Sequence, residues 1–323
     1  MCQKITNTLT TSKDDLLYLT VEMKNGLIKK VYIPALILLL TCLGCSSDDG
    51  IAPSTACYYN IGADAFIHNG IEREYMLYVP DSYDGSVEVP LMMVFHGFGG
   101  SASEFMMDAD LRSLAERDSF LLVYPQGSCI EGYSHWNTCP TGGDNKSTAE
   151  DFDFVDALIN RIDSEFNLNR ERIYAAGYSN GGMMSYGLAH YKSDLIAAIG
   201  SVSGAMLDCY GSTTHPMPVV LLHGTQDDDL PYDGNTELAS VQSTLDYWIN
   251  FNNTSTSPSV TTDNSGPLSV QHSVYSGGDN GVSVEHYRYQ GGEHVWFDAT
   301  YQGRNTSELV WNFVSRYDIN GLR

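Results

Sequence analysis

The 323-residue chain predicts an α/β fold, a mostly parallel central sheet with helices on both faces. Three observations carry that expectation. Short continuous apolar runs recur at residues 91–95, 120–124, 173–176, 195–202 and 219–222, as strands buried on both faces of a parallel sheet require. Helical patterns fall between them, so strand and helix alternate along the chain. One strand run also ends in a Gly-x-Ser-x-Gly turn that opens a helix.

Residues 1–45 form an N-terminal extension and an export signal. Lys24, Lys29 and Lys30 precede an apolar run over 31–43, closed by Gly44 and Cys45. That run is short for a bilayer span. It resembles a bacterial lipoprotein signal, which implies lipidation at Cys45 and a membrane anchor on the cell envelope. A plain secretory peptide cleaved nearby is the alternative. Residues 46–56, with Gly, Pro, Ser and Thr, read as a flexible tether, and 57–323 as a single α/β domain.

Within the domain, strands at 63–68 and 71–79 flank Asn69-Gly70, a two-residue hairpin signal. The run at 91–95 empties into His96-Gly97-Phe98-Gly99-Gly100. A helix over 109–117 puts Leu111, Leu114 and Ala115 on one face. A long polar loop follows the strand at 120–124, running from 125 to 148 and holding Trp136. The helix over 151–166 carries Phe154, Leu158 and Ile162 in register. After the turn at 177–181 a helix extends to about 191, and 236–251 is amphipathic. The Ser/Thr/Asn-rich segment 252–265 reads as a surface insertion, because 269–275 and 282–289 still supply strands. A helix over 307–316 closes the domain.

The chemistry centres on Gly177-Tyr178-Ser179-Asn180-Gly181. A serine on a tight strand-to-helix turn needs small neighbours, and the helix that follows aims its free N–H groups at developing negative charge. A nucleophilic serine needs a carboxylate and a base later in the chain. The strand at 219–222 leads directly into His223-Gly224-Thr225-Gln226-Asp227, and Asp227 lies closer to the strand end than Asp228 or Asp229, which read as a solvated acidic turn. His272 and His286 fall inside strand runs. His294 follows Gly291-Gly292 and is the expected base. The expected oxyanion donors are the N–H groups of Asn180 and of Phe98 or Gly99. His96 reads as a structural hydrogen-bonder.

These motifs, together with Glu150-Asp151-Phe152-Asp153-Phe154-Val155, Leu230-Pro231-Tyr232 and Gly291-Gly292-Glu293-His294-Val295-Trp296, resemble a known family. It is the carbohydrate esterase family that holds feruloyl and acetylxylan esterases, with polyhydroxybutyrate depolymerase-like relatives. The resemblance covers about residues 71–317. It implies the α/β-hydrolase fold, a Ser179–Asp227–His294 triad, an acyl-enzyme mechanism and no cofactor. Glu293 and Phe297 stand where the family usually has glycine and proline, and the oxyanion loop lacks the Cys and Gln common in secreted polyhydroxybutyrate depolymerases.

The substrate stays open between feruloyl esters, acetyl esters and polyhydroxybutyrate. An inactive carbohydrate-binding relative is the alternative of another class. Tyr133, Trp136, Tyr178, Tyr232 and Trp296 sit on loops expected around Ser179, and Trp136 is the expected wall of the acyl pocket. The formal net charge of −23 argues against a nucleic-acid partner. Four cysteines follow the signal and suggest disulfides rather than metal. Proximity predicts Cys129–Cys139, leaving Cys57 with Cys209.

Overall fold

The computed structural model describes residues 8–10, 18–22, 28–32, 57, 62–140, 147–209 and 211–323. The chain divides into two units, Met1–Ile51 and Ala52–Arg323. In the first, β1 (Thr8–Thr10), β2 (Tyr18–Glu22) and β3 (Ile28–Tyr32) form an antiparallel sheet. Most of the expected signal run, the lipidation position Cys45 and the tether at 46–56 lie outside the described residues.

The second unit is built on a ten-stranded sheet. Six strands run parallel: β7 (Leu121–Pro125), β6 (Val89–Phe95), β10 (Leu168–Tyr178), β11 (Ala198–Val202), β12 (Val219–Gly224) and β15 (Val284–Gln290). Antiparallel pairs close both edges, β5 (Ile71–Tyr78) with β4 (Asp64–His68), and β14 (Ser269–Tyr275) with β13 (Ser259–Asp263). Residues 252–265, read as a surface insertion, thus contribute an edge strand.

Alternation along the strands feeds two cores. In β6, Leu91, Met93 and Phe95 pack on one face, while Met92 and Val94 pack on the other. The first core is covered by α3 (Asp151–Glu165), α4 (Asn180–Tyr191) and α5 (Val241–Phe251), through Phe154, Leu158, Met184, Leu188, Leu245 and Trp248. The second is covered by α1 (Ala102–Asp108), α2 (Arg112–Asp118) and α6 (Thr306–Val314), through Phe105, Leu114, Val310 and Trp311. Caps set where helices begin: Asn305 and Glu308 form a capping box on α6, and Ser101 caps α1. Helix α1 follows the glycine run directly and has no counterpart in the sequence expectation.

The long loop at 125–148 contains a short hairpin, β8 (Ser128–Ile130) and β9 (Tyr133–His135). It also overturns the expected disulfides. Cys57 is bonded to Cys129, and Cys139 to Cys209. In the hairpin Cys129 faces Ser134, after which the chain turns inward at the buried Trp136 and carries Cys139 into the interior. Proximity in sequence therefore does not bring Cys129 and Cys139 together.

Candidate active site

Strand β10 lies between β6 and β11, with Gly177 level with Phe95 and Tyr178 level with Val202. The loop after β6 and the turn after β10 consequently leave the sheet side by side, at the carboxyl edge where parallel sheets bind ligands. Strands β12 and β15 end at the same edge, with Gly224 level with Tyr289. Their loops bring Asp227 and His294 to the same place.

Ser179 has φ 54° and ψ −121°, a left-handed conformation that side chains rarely adopt, at the start of α4. The turn closes only with glycine on both sides. A Cβ on Gly181 would meet the Phe95 carbonyl oxygen, and one on Gly177 would meet the carbonyl of Gly181. His294 Nε2 stands 2.8 Å from Ser179 Oγ, and His294 Nδ1 stands 2.8 Å from Asp227 Oδ2. A carboxylate only accepts, so Nδ1 carries the proton and Nε2 is left to accept from the serine hydroxyl.

Asp227 is held from several directions. Its Oδ1 accepts from the N–H groups of Asp229 at 3.1 Å and Leu230 at 2.8 Å. His223 Nε2 donates to the carbonyl of Leu230 at 2.8 Å and lies 3.2 Å from Asp227 Oδ2. Burial alone would raise the Asp227 carboxyl. The hydrogen bonds from His223, His294 and Leu230 outweigh it and hold the group well below the usual carboxylate range. The Asp227-Asp228-Asp229 run is thus sorted by position: Asp227 is buried against the histidines, whereas Asp228 and Asp229 are exposed.

Gly99 N–H donates to the carbonyl of Ser134 at 2.8 Å, which leaves Phe98 N–H as the candidate oxyanion donor of the two. His96 makes structural hydrogen bonds within its own loop and to the next one. Its Nδ1 donates to the Gly97 carbonyl at 2.7 Å and its Nε2 accepts from Gly127 N–H at 3.0 Å. Burial pushes this imidazole down to about 4, so it stays neutral.

A cavity of about 400 Å³ lies between the Gly97-Phe98 and Val295-Trp296 loops; it is lined by Tyr178, next to Ser179 in the chain, and not by Ser179, Asp227 or His294 themselves. Tyr178 donates from its hydroxyl to the His294 carbonyl at 2.8 Å. Phe105 meets Trp296 edge-on at 5.5 Å within the same wall, and Phe105 was not singled out from the sequence. Its placement on the unexpected α1 explains the miss. Glu104, Asp108 and Asp298 add carboxylates to the lining. Phe98 and Tyr133, 48% and 55% exposed, stack at 5.6 Å beside the site.

Two expected pocket residues stand elsewhere. Trp136 is fully buried, packed edge-on against Phe95, and is not a wall of the cavity. A buried strap claims it because its indole N–H and its ring both find partners in the interior. Tyr232 is engaged by two histidines, with its ring edge-on to His223 at 5.9 Å. Its hydroxyl donates to His286 Nε2 at 2.8 Å, since His286 Nδ1 faces the Leu221 carbonyl. It therefore packs against His223 and His286, and does not line the cavity between the Gly97-Phe98 and Val295-Trp296 loops.

Sheet, helices and strand-end turn define the α/β-hydrolase class. Residues 73–245 match the family model described as esterase PHB depolymerase, and the chain belongs to that esterase family. It is similar to a probable feruloyl esterase C from Aspergillus terreus, 28% identical over 214 residues that cover 63% of this chain and 73% of the relative. A bifunctional acetylxylan esterase/xylanase from Neocallimastix patriciarum is 28% identical over 163 residues, covering 50% of this chain and 22% of that protein. Among solved structures, an acetyl xylan esterase from Aspergillus awamori aligns with a TM-score of 0.51 at 17% identity, covering 69% of this chain and 89% of the other, which supports the shared fold.

Proposed function

We propose that the chain is an exported serine carboxylic-ester hydrolase acting through an acyl-enzyme, on feruloyl or acetyl esters of plant polysaccharides. The observation that carries the catalytic reading is His294 lying 2.8 Å from both Ser179 Oγ and Asp227 Oδ2. Ser179 Oγ attacks the ester carbonyl as its proton passes to His294 Nε2. The C–O bond to the alcohol breaks as His294 returns that proton to the leaving oxygen. Water then attacks the acyl-enzyme, again giving its proton to His294, and the acid is released with Ser179 restored. Asp227 keeps the tautomer and stabilises the imidazolium. The Phe98 and Asn180 N–H groups receive the oxyanion.

The relatives named for feruloyl and acetylxylan esterase activity support the substrate class. So does the cavity, whose Tyr178, Phe105 and Trp296 suit a planar ring, while its carboxylates accept hydroxyl hydrogens and repel anionic esters. The exposed Phe98–Tyr133 stack offers a second aromatic surface for a sugar ring. The family's description favours polyhydroxybutyrate as the alternative polymer. Two disulfides support an oxidising, extracytoplasmic setting. Lipidation at Cys45 would hold the enzyme on the envelope.

Hydrolysis of methyl ferulate, acetylated xylan and polyhydroxybutyrate by wild type and Ser179→Ala tests this reading. We expect turnover on at least one of the first two, lost by several orders of magnitude in the folded variant. Turnover restricted to polyhydroxybutyrate overturns the substrate class, and an active Ser179→Ala overturns the mechanism.

A further inference from the structure

The strap that follows β9 reaches both halves of the expected oxyanion site through one residue. The backbone N–H of Trp136 donates to Asn180 Oδ1 at 2.8 Å, and its carbonyl accepts from Asn180 Nδ2 at 3.1 Å, a closed two-bond clamp. Its indole Nε1–H donates at 3.0 Å to the carbonyl of His96, which immediately precedes Gly97-Phe98. Its ring meets Phe95 at 5.1 Å and His96 at 5.2 Å. Asn180 is itself 4% exposed, so the clamp is sheltered from water. The strap is anchored in turn. Asn137 N–H donates to Asp151 Oδ2 at 2.8 Å, Asp151 pairs with the buried Arg73 at 2.7 Å, and Cys139 is bonded to Cys209.

The geometry points to Trp136 as a positioning residue that fixes the separation and aim of the Phe98 and Asn180 N–H donors. This rests on the reading of Ser179 as nucleophile with those two groups facing its oxyanion. Oxyanion donors act at about 2.7–3.1 Å from an oxygen that forms only in the transition state. A small drift of either segment therefore slows the chemical step and leaves substrate binding almost unchanged. Trp136 never touches the ester, so its effect does not depend on the acyl group. A pocket wall would behave in the opposite way.

Trp136→Phe keeps most of the buried ring and removes the indole donor. We expect kcat to fall about 10–100-fold with KM within about twofold. The loss should be equal on methyl ferulate and 4-nitrophenyl acetate, and a trifluoromethyl ketone, which forms a tetrahedral adduct with the serine, should bind more weakly by a matching factor. Asn180→Ala keeps the backbone N–H but drops the clamp. It should lose kcat in the same way, and the double variant should lose little more than the worse single one. Wild-type kcat in both single variants overturns the proposal, as does a loss confined to KM or to one acyl group. If Trp136→Phe does not melt cooperatively, Asn180→Ala is judged alone by the same criteria. Ser179→Ala run alongside separates the two readings. An active Ser179→Ala removes the catalytic reading and this one with it, whereas an inert Ser179→Ala beside full-speed Trp136 and Asn180 variants removes only this one.

Discussion

The two sides of Ser179 are built in different ways. On the acid–base side, the working groups are side chains on loops leaving β12 and β15, held by hydrogen bonds to a buried charge: Asp227 receives His294, His223 and two backbone N–H groups. On the oxyanion side, the expected donors are backbone N–H groups, and their positions follow from buried neighbours such as Trp136 and His96. Substitution therefore hurts at different places on the two sides. Where side chains act, the acting residue itself is irreplaceable. Where the backbone acts, the residues that matter are ones the substrate never meets.

The largest losses should follow removal of the acid–base groups. His294→Ala should cut kcat by about 10⁴-fold or more, and Asp227→Asn by about 10³–10⁴-fold, because an amide no longer enforces the Nδ1–H tautomer. Both should fold, since His294 lies on a loop and Asn can still accept from Leu230 N–H. Steady-state kinetics beside thermal melts check this. A loss of less than tenfold in a folded Asp227→Asn protein would mean that the acid does not orient the base.

The oxyanion side should instead answer to its scaffold. The Cys139–Cys209 bond closes a separation of 70 residues, which on the chain-entropy model stabilises by about 4 kcal/mol. The Cys139→Ser, Cys209→Ser double variant should therefore unfold at markedly lower denaturant, while under native conditions kcat falls less than for any triad variant. Unchanged stability would show that the strap is held by packing and by the Arg73–Asp151 pair alone.

Those contrasts also explain what could be read in the sequence. The parallel strands were legible because burial on both faces leaves continuous apolar runs, as in β6 and β7. Ser179 and His294 were legible because glycines mark the turns that present them. Trp136 was not: in a polar loop it reads as a wall of the acyl pocket, and only the Asn180 clamp, 44 residues away, shows that it is interior. The cysteine pairing and the Tyr232–His286 bond fail for the same reason, since both join segments that only the assembled sheet brings together. Helix α1 was hidden behind a glycine run that reads as loop.

A smaller effect concerns pH. Burial pushes His96 and His190 down to about 4 and His286 down to about 3, from an ordinary value of 6.5. Each is neutral in the folded chain but binds a proton when unfolded below about pH 6.5. Stability should thus be full above that pH and fall steadily between pH 6.5 and 4. Asp227 works at a lower range, because its depressed carboxyl stabilises the fold above the ordinary carboxylate value and loses that contribution only as pH drops below it. Urea unfolding midpoints at pH 7.5, 6 and 5 should decline in that order, and a flat series would contradict the neutral buried histidines.

In this mechanism Ser179 is the group that forms the covalent bond to the acyl carbon. A fluorophosphonate reagent, whose phosphorus is attacked by an activated serine Oγ with expulsion of fluoride, followed by peptide mass spectrometry, tests this most directly. One phosphonyl adduct per chain is expected on the peptide carrying Ser179, slowed severely in Asp227→Asn and absent in Ser179→Ala. An adduct on a different serine, or undiminished labelling of Ser179→Ala, would contradict it.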